Sequence, residues 1–426
     1  MTSTNRIKAP LKKEISTIDF VLPEKWTLSN GTPVWGLQAG SQDLVKIDLL
    51  FNAGSWYQNE NLVAGLTNAF LNQGSKKYTA SEIAGIFDFR GAYLQLNADQ
   101  QYGYVSILTL NKHIEEILEA TADLVLNPTF PDKEIKTQIA KRKQQFIIEN
   151  SKVKTLAHKK FSQVLFGEKH PYANTNTTED FDLLTPEKLK QFHAQNYSMS
   201  NCKIVVAGNY TDELKILLDK YLGNNTDTTN KNEPDYKASP SEIQKHFIPK
   251  ENAVQSAIRI GKEVVNCDHP DFHGLTILTT ILGGYFGSRL MTNIREDKGY
   301  TYGIGASIVT FPHAAYLSIT TETGADVCTK AVTEIYNEIE KLREQPVGEV
   351  ELEIVKSYLL GETLRNFDGI FAMSNSLKTL LEAGLDYSHY EKFVEEIRTI
   401  TPEQLQILAL KYYKTEELYE VIAGKV

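Results

Sequence analysis

A helix-then-strand segment is written twice in this chain, and that constrains its fold more than any other feature. Residues 185–208 read TPEKLKQFHAQNYSMSNCKIVVAG, and residues 401–424 read TPEQLQILALKYYKTEELYEVIAG. Without a gap, the copies share Thr-Pro-Glu, a leucine, a tyrosine, a valine and the closing Ala-Gly. In each, the threonine suits an N-cap, the proline suits the first helical position, and the glutamate suits the positive end of the helix dipole. Gln404 stands where it can close a capping box. After the tyrosine the chain changes to IVVAG or VIAG, a strand signal. A second echo runs in the same order: Gly65-Leu66-Thr67 and Gly274-Leu275-Thr276 each open a helical stretch. Two echoes in one order imply two homologous domains, each closing on a helix–strand unit.

Composition marks the seam. Residues 223–242, GNNTDTTNKNEPDYKASPSE, are rich in Asn, Thr, Asp and Pro without hydrophobic periodicity, as in an exposed linker. The expected domains are therefore 1–222 and 243–426. In the first, WTLSNGTPVWGLQ predicts a hairpin around Asn30-Gly31, and LVKIDLLFNAGS predicts a strand. Thr79 and Glu82 predict a capping box, and residues 112–126 an amphipathic helix. Long helices beside separate strand runs predict an α+β architecture of layered sheet and helices.

A net charge of −9 argues against a nucleic-acid footprint, and 41% hydrophobic with 23% charged residues is a soluble composition. The basic run from Lys133 to Lys143 accordingly predicts a solvated helix face. Three scattered cysteines (Cys202, Cys267, Cys328) make no disulfide framework and suit free thiols. No window reaches the ~18 apolar residues of a membrane span, and the first twenty residues lack a signal-peptide core. The expected compartment is the cytoplasm, or the periplasm if a leader has been removed.

The stretch GLTNAFLNQG, Gly65 to Gly74, has the look of a helix built to hold chemistry, yet it carries no ionisable side chain. Asn68 and Asn72 stand four apart, which puts them on one face of a continuous helix. Two amides there suit neither metal binding nor proton transfer.

Taken with LSNGTPVW, FNAGS, LFGEKHPYA and LGGYFGSRLMTNIREDKGYTYGIGAS, this stretch resembles the M16 family of insulinase-like and mitochondrial-processing-peptidase-like proteins. The resemblance covers nearly the whole chain. It implies two homologous domains of the LuxS/MPP-like metallohydrolase fold, each a mainly antiparallel sheet packed with helices. Active members carry H-x-x-E-H on the helix corresponding to Gly65–Gly74, two histidines for Zn²⁺ and a glutamate as general base. Here Asn68 and Asn72 take the histidine positions and Leu71 the base position. The segment is also shorter than the family's by about three residues, close to one helical turn. Glu149 has the right count for the distal glutamate ligand, but one carboxylate cannot hold zinc alone. The resemblance thus implies no metal in this chain.

In paired members of the family, the subunit lacking zinc contributes an arginine and a tyrosine to the substrate. Arg295 and Tyr302 in REDKGYTY match that pair, with Tyr300 a rival at poorer spacing. Guanidinium and phenol can both donate to a carbonyl oxygen that becomes an oxyanion. The expected function is a zinc-free subunit of a heterodimeric peptidase. Its partner would be a homologous H-x-x-E-H subunit holding Zn²⁺, its substrate an unfolded peptide, and it would be inactive alone. The alternative is a non-catalytic peptide-binding or structural core subunit. Gly283, Gly284 and Gly287 of LGGYFGSRL are candidates for a substrate loop. Cys267-Asp268-His269-Pro270-Asp271-Phe272-His273 has metal-ligand residue types, but its Asp and Pro suit a helix start. His158, His170 and His193 stand alone and suit core or solvated roles.

Overall fold

The structure is a computed structural model, described over residues 15, 18, 20–173, 175–225 and 233–426. Most of the N-terminal stretch examined for a leader, and residues 226–232 of the expected linker, lie outside the described residues.

The first six strands are β1 (Glu24–Thr27), β2 (Pro33–Gln38), β3 (Leu44–Phe51), β4 (Tyr93–Ala98), β5 (Gly103–Leu110) and β6 (Cys202–Gly208). They form one sheet in the order β1-β2-β6-β3-β5-β4. The remaining strands are β7 (Lys245–Pro249), β8 (Gln255–Val264), β9 (Thr301–Phe311), β10 (Ala314–Gly324) and β11 (Tyr419–Gly424). Their order is β7-β11-β8-β10-β9. Without β1, the first order maps onto the second strand for strand. The senses agree too: β2 runs parallel to β6 and β7 to β11, and every other pair is antiparallel. The two copies of the repeated segment supply β6 and β11, the equivalent strands of the two sheets.

Seven helices accompany the first sheet in sequence: α1 (Val63–Ala69), α2 (Ala80–Phe89), α3 (Ile114–Leu126), α4 (Asp132–Asn150), α5 (Val153–Phe166), α6 (Pro186–Asn196) and α7 (Asp212–Leu222). Six more follow: α8 (Phe272–Thr279), α9 (Cys328–Glu344), α10 (Glu349–Asn366), α11 (Ile370–Ala383), α12 (Ser388–Thr399) and α13 (Pro402–Tyr412). The local signals translate directly. Thr79 with Glu82 and Thr401 with Gln404 close capping boxes, and Thr185 caps α6 ahead of Pro186. Gly31, at φ +86°, turns the β1–β2 hairpin in a conformation that favours glycine. Gly65 and Gly274 are each the third residue of their helices.

Each sheet buries one face on helices of its own half. Ile47, Leu49, Val105, Ile204 and Val206 meet Leu118, Leu124 and Leu218 in the first core, and Ile258, Ile260, Leu317 and Ile319 meet Ile335 and Leu405 in the second. The opposite faces are covered reciprocally. Helix α5, from the first half, packs on β8 and β11 of the second sheet. Its Phe161, Leu165 and Phe166 join Ala257, Tyr316, Val421 and Ala423. Helix α11, from the second half, packs on β2 and β6 of the first sheet, where Leu377 and Leu380 join Leu37, Leu50, Val205 and Ala207. Gly261 on β8 leaves no room for a side chain, since a Cβ there would lie 1.8 Å from the Leu317 carbonyl oxygen of β10 and 3.1 Å from the Phe161 ring. With both faces covered, the central strands read as nearly unbroken apolar runs such as IVVA rather than as alternation.

Candidate functional site

The helix expected over Gly65–Gly74 is broken. The α-helix stops at Ala69, and Leu71–Gln73 form a separate 3₁₀ turn. Asn68 and Asn72 therefore do not share one face of one helix, because the four-residue stacking of an α-helix ends between them. Asn68 is fully buried, and its Nδ2 donates to the Tyr104 carbonyl and to the Tyr197 hydroxyl, each at 3.1 Å. Leu71 is fully buried in the first core. Asn72 Oδ1 accepts from Gln73 Nε2, and Gln138 of α4 reaches the Gln73 side chain. Glu149 lies near the end of α4, ion-paired with Lys152 at 2.6 Å on the exposed surface. The motif positions thus hold a core amide, a core leucine and a surface-side amide. These residues do not fit zinc.

The second-half pair is assembled differently. Arg295 belongs to a π-helical segment, Met291–Asp297, that follows Leu290. The extra residue per turn of a π-helix re-aims side chains, and such segments recur at functional sites. Arg295 Nε donates to the backbone carbonyl of Tyr302 at 3.0 Å, which ties the segment to the start of β9. The guanidinium lies 4.5 Å from the Phe286 ring centroid, and its nearest carboxylate, on Glu296, is 3.7 Å away. Tyr302 is 94% exposed, so its phenol takes no part in any core. A cleft of about 370 Å³ begins beside it, lined by Arg259 and Thr320 of the second sheet and by Lys154 of α5. Sequence reasoning passed over Arg259 and Lys154, because in SAIRIGKEV the arginine has the look of a solvent-facing strand residue.

Two family profiles match the chain: insulinase (peptidase family M16) over residues 37–176, and peptidase M16 inactive domain over residues 183–359. The chain belongs to peptidase family M16. Among its relatives is the uncharacterized zinc protease YmxG of Bacillus subtilis, 21% identical over 94% of this chain and 98% of that protein. Another is the non-peptidase homolog YmxG of Helicobacter pylori, 23% identical over 89% of each. A solved M16 inactive domain from Pseudomonas fluorescens shares the fold, with a TM-score of 0.85 at 23% identity over 95% of this chain and 98% of that one.

Within this M16 chain the other candidates have structural explanations or remain open. Gly283 is buried, and a Cβ there would lie 2.6 Å from the Ala306 nitrogen on β9, so this glycine lets the segment after α8 approach the sheet. Gly284 and Gly287 are exposed beside Tyr285 and Phe286. Arg289 clamps the same loop to α10 through a two-pronged pair with Glu351 at 2.8 and 2.9 Å. The Cys267–His273 segment leads into α8 without a side-chain cap: His269 Nδ1 accepts from the Asp271 amide, and Asp271 binds Lys411 and Tyr412. Among the described residues, no group of three or more His, Cys, Asp or Glu side chains is arranged to hold a metal ion. His170 stacks on Phe166 in a buried aromatic cluster, and His193 Nε2 lies 2.7 Å from the Val125 carbonyl. The basic run lies along the largely exposed α4, with Lys136 and Lys143 paired to Asp132 and Asp182. The three cysteines are free. Among the described residues, no helix is long and apolar enough to cross a membrane.

Proposed function

We propose that this chain is the zinc-free subunit of a two-subunit M16 peptidase. Its partner is a homologous subunit carrying H-x-x-E-H, from which the Zn²⁺ and the general base come. Arg295 and Tyr302 act in trans on the peptide at the partner's centre, donating hydrogen bonds to the carbonyl oxygen as negative charge develops on it. The observation that carries this reading is the exposure of Tyr302 beside a guanidinium bonded to its own backbone. A strand tyrosine kept for packing would be buried, and an arginine kept for stability would hold a carboxylate by two hydrogen bonds, as Arg289 does, rather than only a single looser ion pair at 3.7 Å. The domains in this reading are 1–222 and 243–426, joined by 223–242, and Gly284 and Gly287 border the bound peptide.

Mixing this chain with an H-x-x-E-H homologue from the same organism tests the partnership. Peptide hydrolysis and a co-eluting complex that appear only in the mixture support it. A homologue equally active with and without this chain removes that pairing and favours a non-catalytic peptide-binding or structural subunit.

A further inference from the structure

Strand β8 crosses the second sheet where β3 crosses the first, so the repeat permits a comparison position by position. Asp48 of β3 pairs in register with Val205, and Arg259 of β8 pairs with Val421, the repeat counterpart of Val205. One site of the duplicated fold therefore holds a carboxylate in one half and a guanidinium in the other. Asp48, 1% exposed, is neutralised from within: Lys46 and Lys378 each approach to 3.2 Å, and the Ser106 hydroxyl donates to it. Arg259 has no hydrogen bond or ion pair among the described residues, and it is partly buried.

That arrangement works against stability. A partly desolvated charge without a partner costs stability, and burial lowers the pKa of Arg259 despite the attraction of Tyr316 and Glu322. The neighbouring His158, like any histidine neutral or cationic, offers no counter-charge. Burial, together with the charge of Arg259, pushes its imidazole down to about 4, and its Nδ1 is buried without a partner. Arg259 instead opens into the cleft that ends at Tyr302, with Lys154 and Gln255 beside it. Glu322 also lines this cleft, outside ion-pair distance of Arg259, so two cations face one anion.

We infer that Arg259 is the receptor for a carboxylate that an extended peptide brings into this cleft, either its C-terminal carboxylate or an Asp or Glu side chain. A guanidinium can hold a carboxylate by two parallel hydrogen bonds, and Lys154 strengthens the local field. Because the same cleft is walled by Tyr302, the carboxylate anchors the peptide at a set distance from the Arg295–Tyr302 pair. This inference rests on the peptide-binding reading above, but it concerns affinity rather than hydrolysis.

Fluorescence anisotropy on the purified chain tests it with three labelled unstructured decapeptides. One has a central glutamate and a free C-terminus, the second is its C-terminal amide, and the third has glutamine for the glutamate. Wild type is expected to bind the first peptide about tenfold or more tighter than whichever variant lacks the anchoring carboxylate, the scale of a charged hydrogen bond. Arg259→Gln is expected to bind the first peptide only as well as that variant and to melt at or above the wild-type temperature. Arg295→Ala should keep the discrimination, so failure of the two-subunit peptidase leaves this result readable. Equal or absent binding of all three peptides by wild type overturns the inference. So does discrimination retained in Arg259→Gln, or a melting temperature below wild type, which assigns Arg259 a structural role.

Discussion

Asn68 performs a task that a zinc-binding histidine in its place could not. Its amide links the β5 backbone at Tyr104 to the Tyr197 hydroxyl, inside a core that excludes water. Both partners lose a hydrogen bond if the amide is removed, which gives the buried position a structural need for a polar residue. The helix break at Ala69 then separates residue 72 from residue 68. Restoring the letters should therefore not restore the site. We predict that the triple variant Asn68→His, Leu71→Glu, Asn72→His binds no stoichiometric zinc when the purified protein is assayed for metal, and that it is less stable than wild type. One equivalent of tightly held zinc would show that the α1 geometry can still be recruited. The motif positions could be counted in the sequence. The break and the amide's partners could not, because they depend on Tyr197, 129 residues away.

The exchanged helices α5 and α11 are the elements that join the two sheets. Phe161 sits at the centre of the α5 contact, 1% exposed and 6.0 Å from the Tyr316 ring. Phe161→Ala is expected to cost about 3–5 kcal/mol, read from denaturant unfolding. Hydrogen exchange should locate the loss in β8 and β11, although the substitution lies in the first half of the chain. Faster exchange confined to the first sheet would contradict the exchange of helices. At the α11 contact, Glu382 faces Tyr104, whose hydroxyl lies 2.9 Å from Glu382 Oε1 and 2.7 Å from Asp99 Oδ2. A phenol has one proton. It is shared between the two carboxylates, both of which accept from the Tyr104 hydroxyl. Burial pushes Glu382 up to about 7, against the hydrogen bond from Tyr104, which favours the charged form. Because the folded state then holds a proton that the unfolded state has released, this group's stabilisation is present below the usual carboxylate pKa. It is lost as pH rises through 7. Glu382→Gln should flatten the fall in stability between about pH 4.5 and 7, and an unchanged slope would remove Glu382 as its source.

For the whole molecule, the sequence carried the duplication plainly, because each copy writes its own cap, proline, tyrosine and Ala-Gly ending. Capping boxes and the Asn30-Gly31 turn were equally legible, being interactions within a few residues. The reciprocal cover of the sheets was not. An amphipathic helix such as α5 declares that it has an apolar face but not which sheet receives it. Arg259 was hidden for the same reason, since its surroundings come from α5, β9 and β10 together. Arg295 and Tyr302 stand out as candidates because their spacing is local, and the exposure of Tyr302 leaves its phenol outside this chain's own core. The most direct test is therefore kinetic. In a mixture with the H-x-x-E-H homologue, Arg295→Ala and Tyr302→Phe should each lower kcat by about 10²–10³, the loss expected for an oxyanion donor, without changing the melting temperature of this chain. Full activity in both variants would contradict the account.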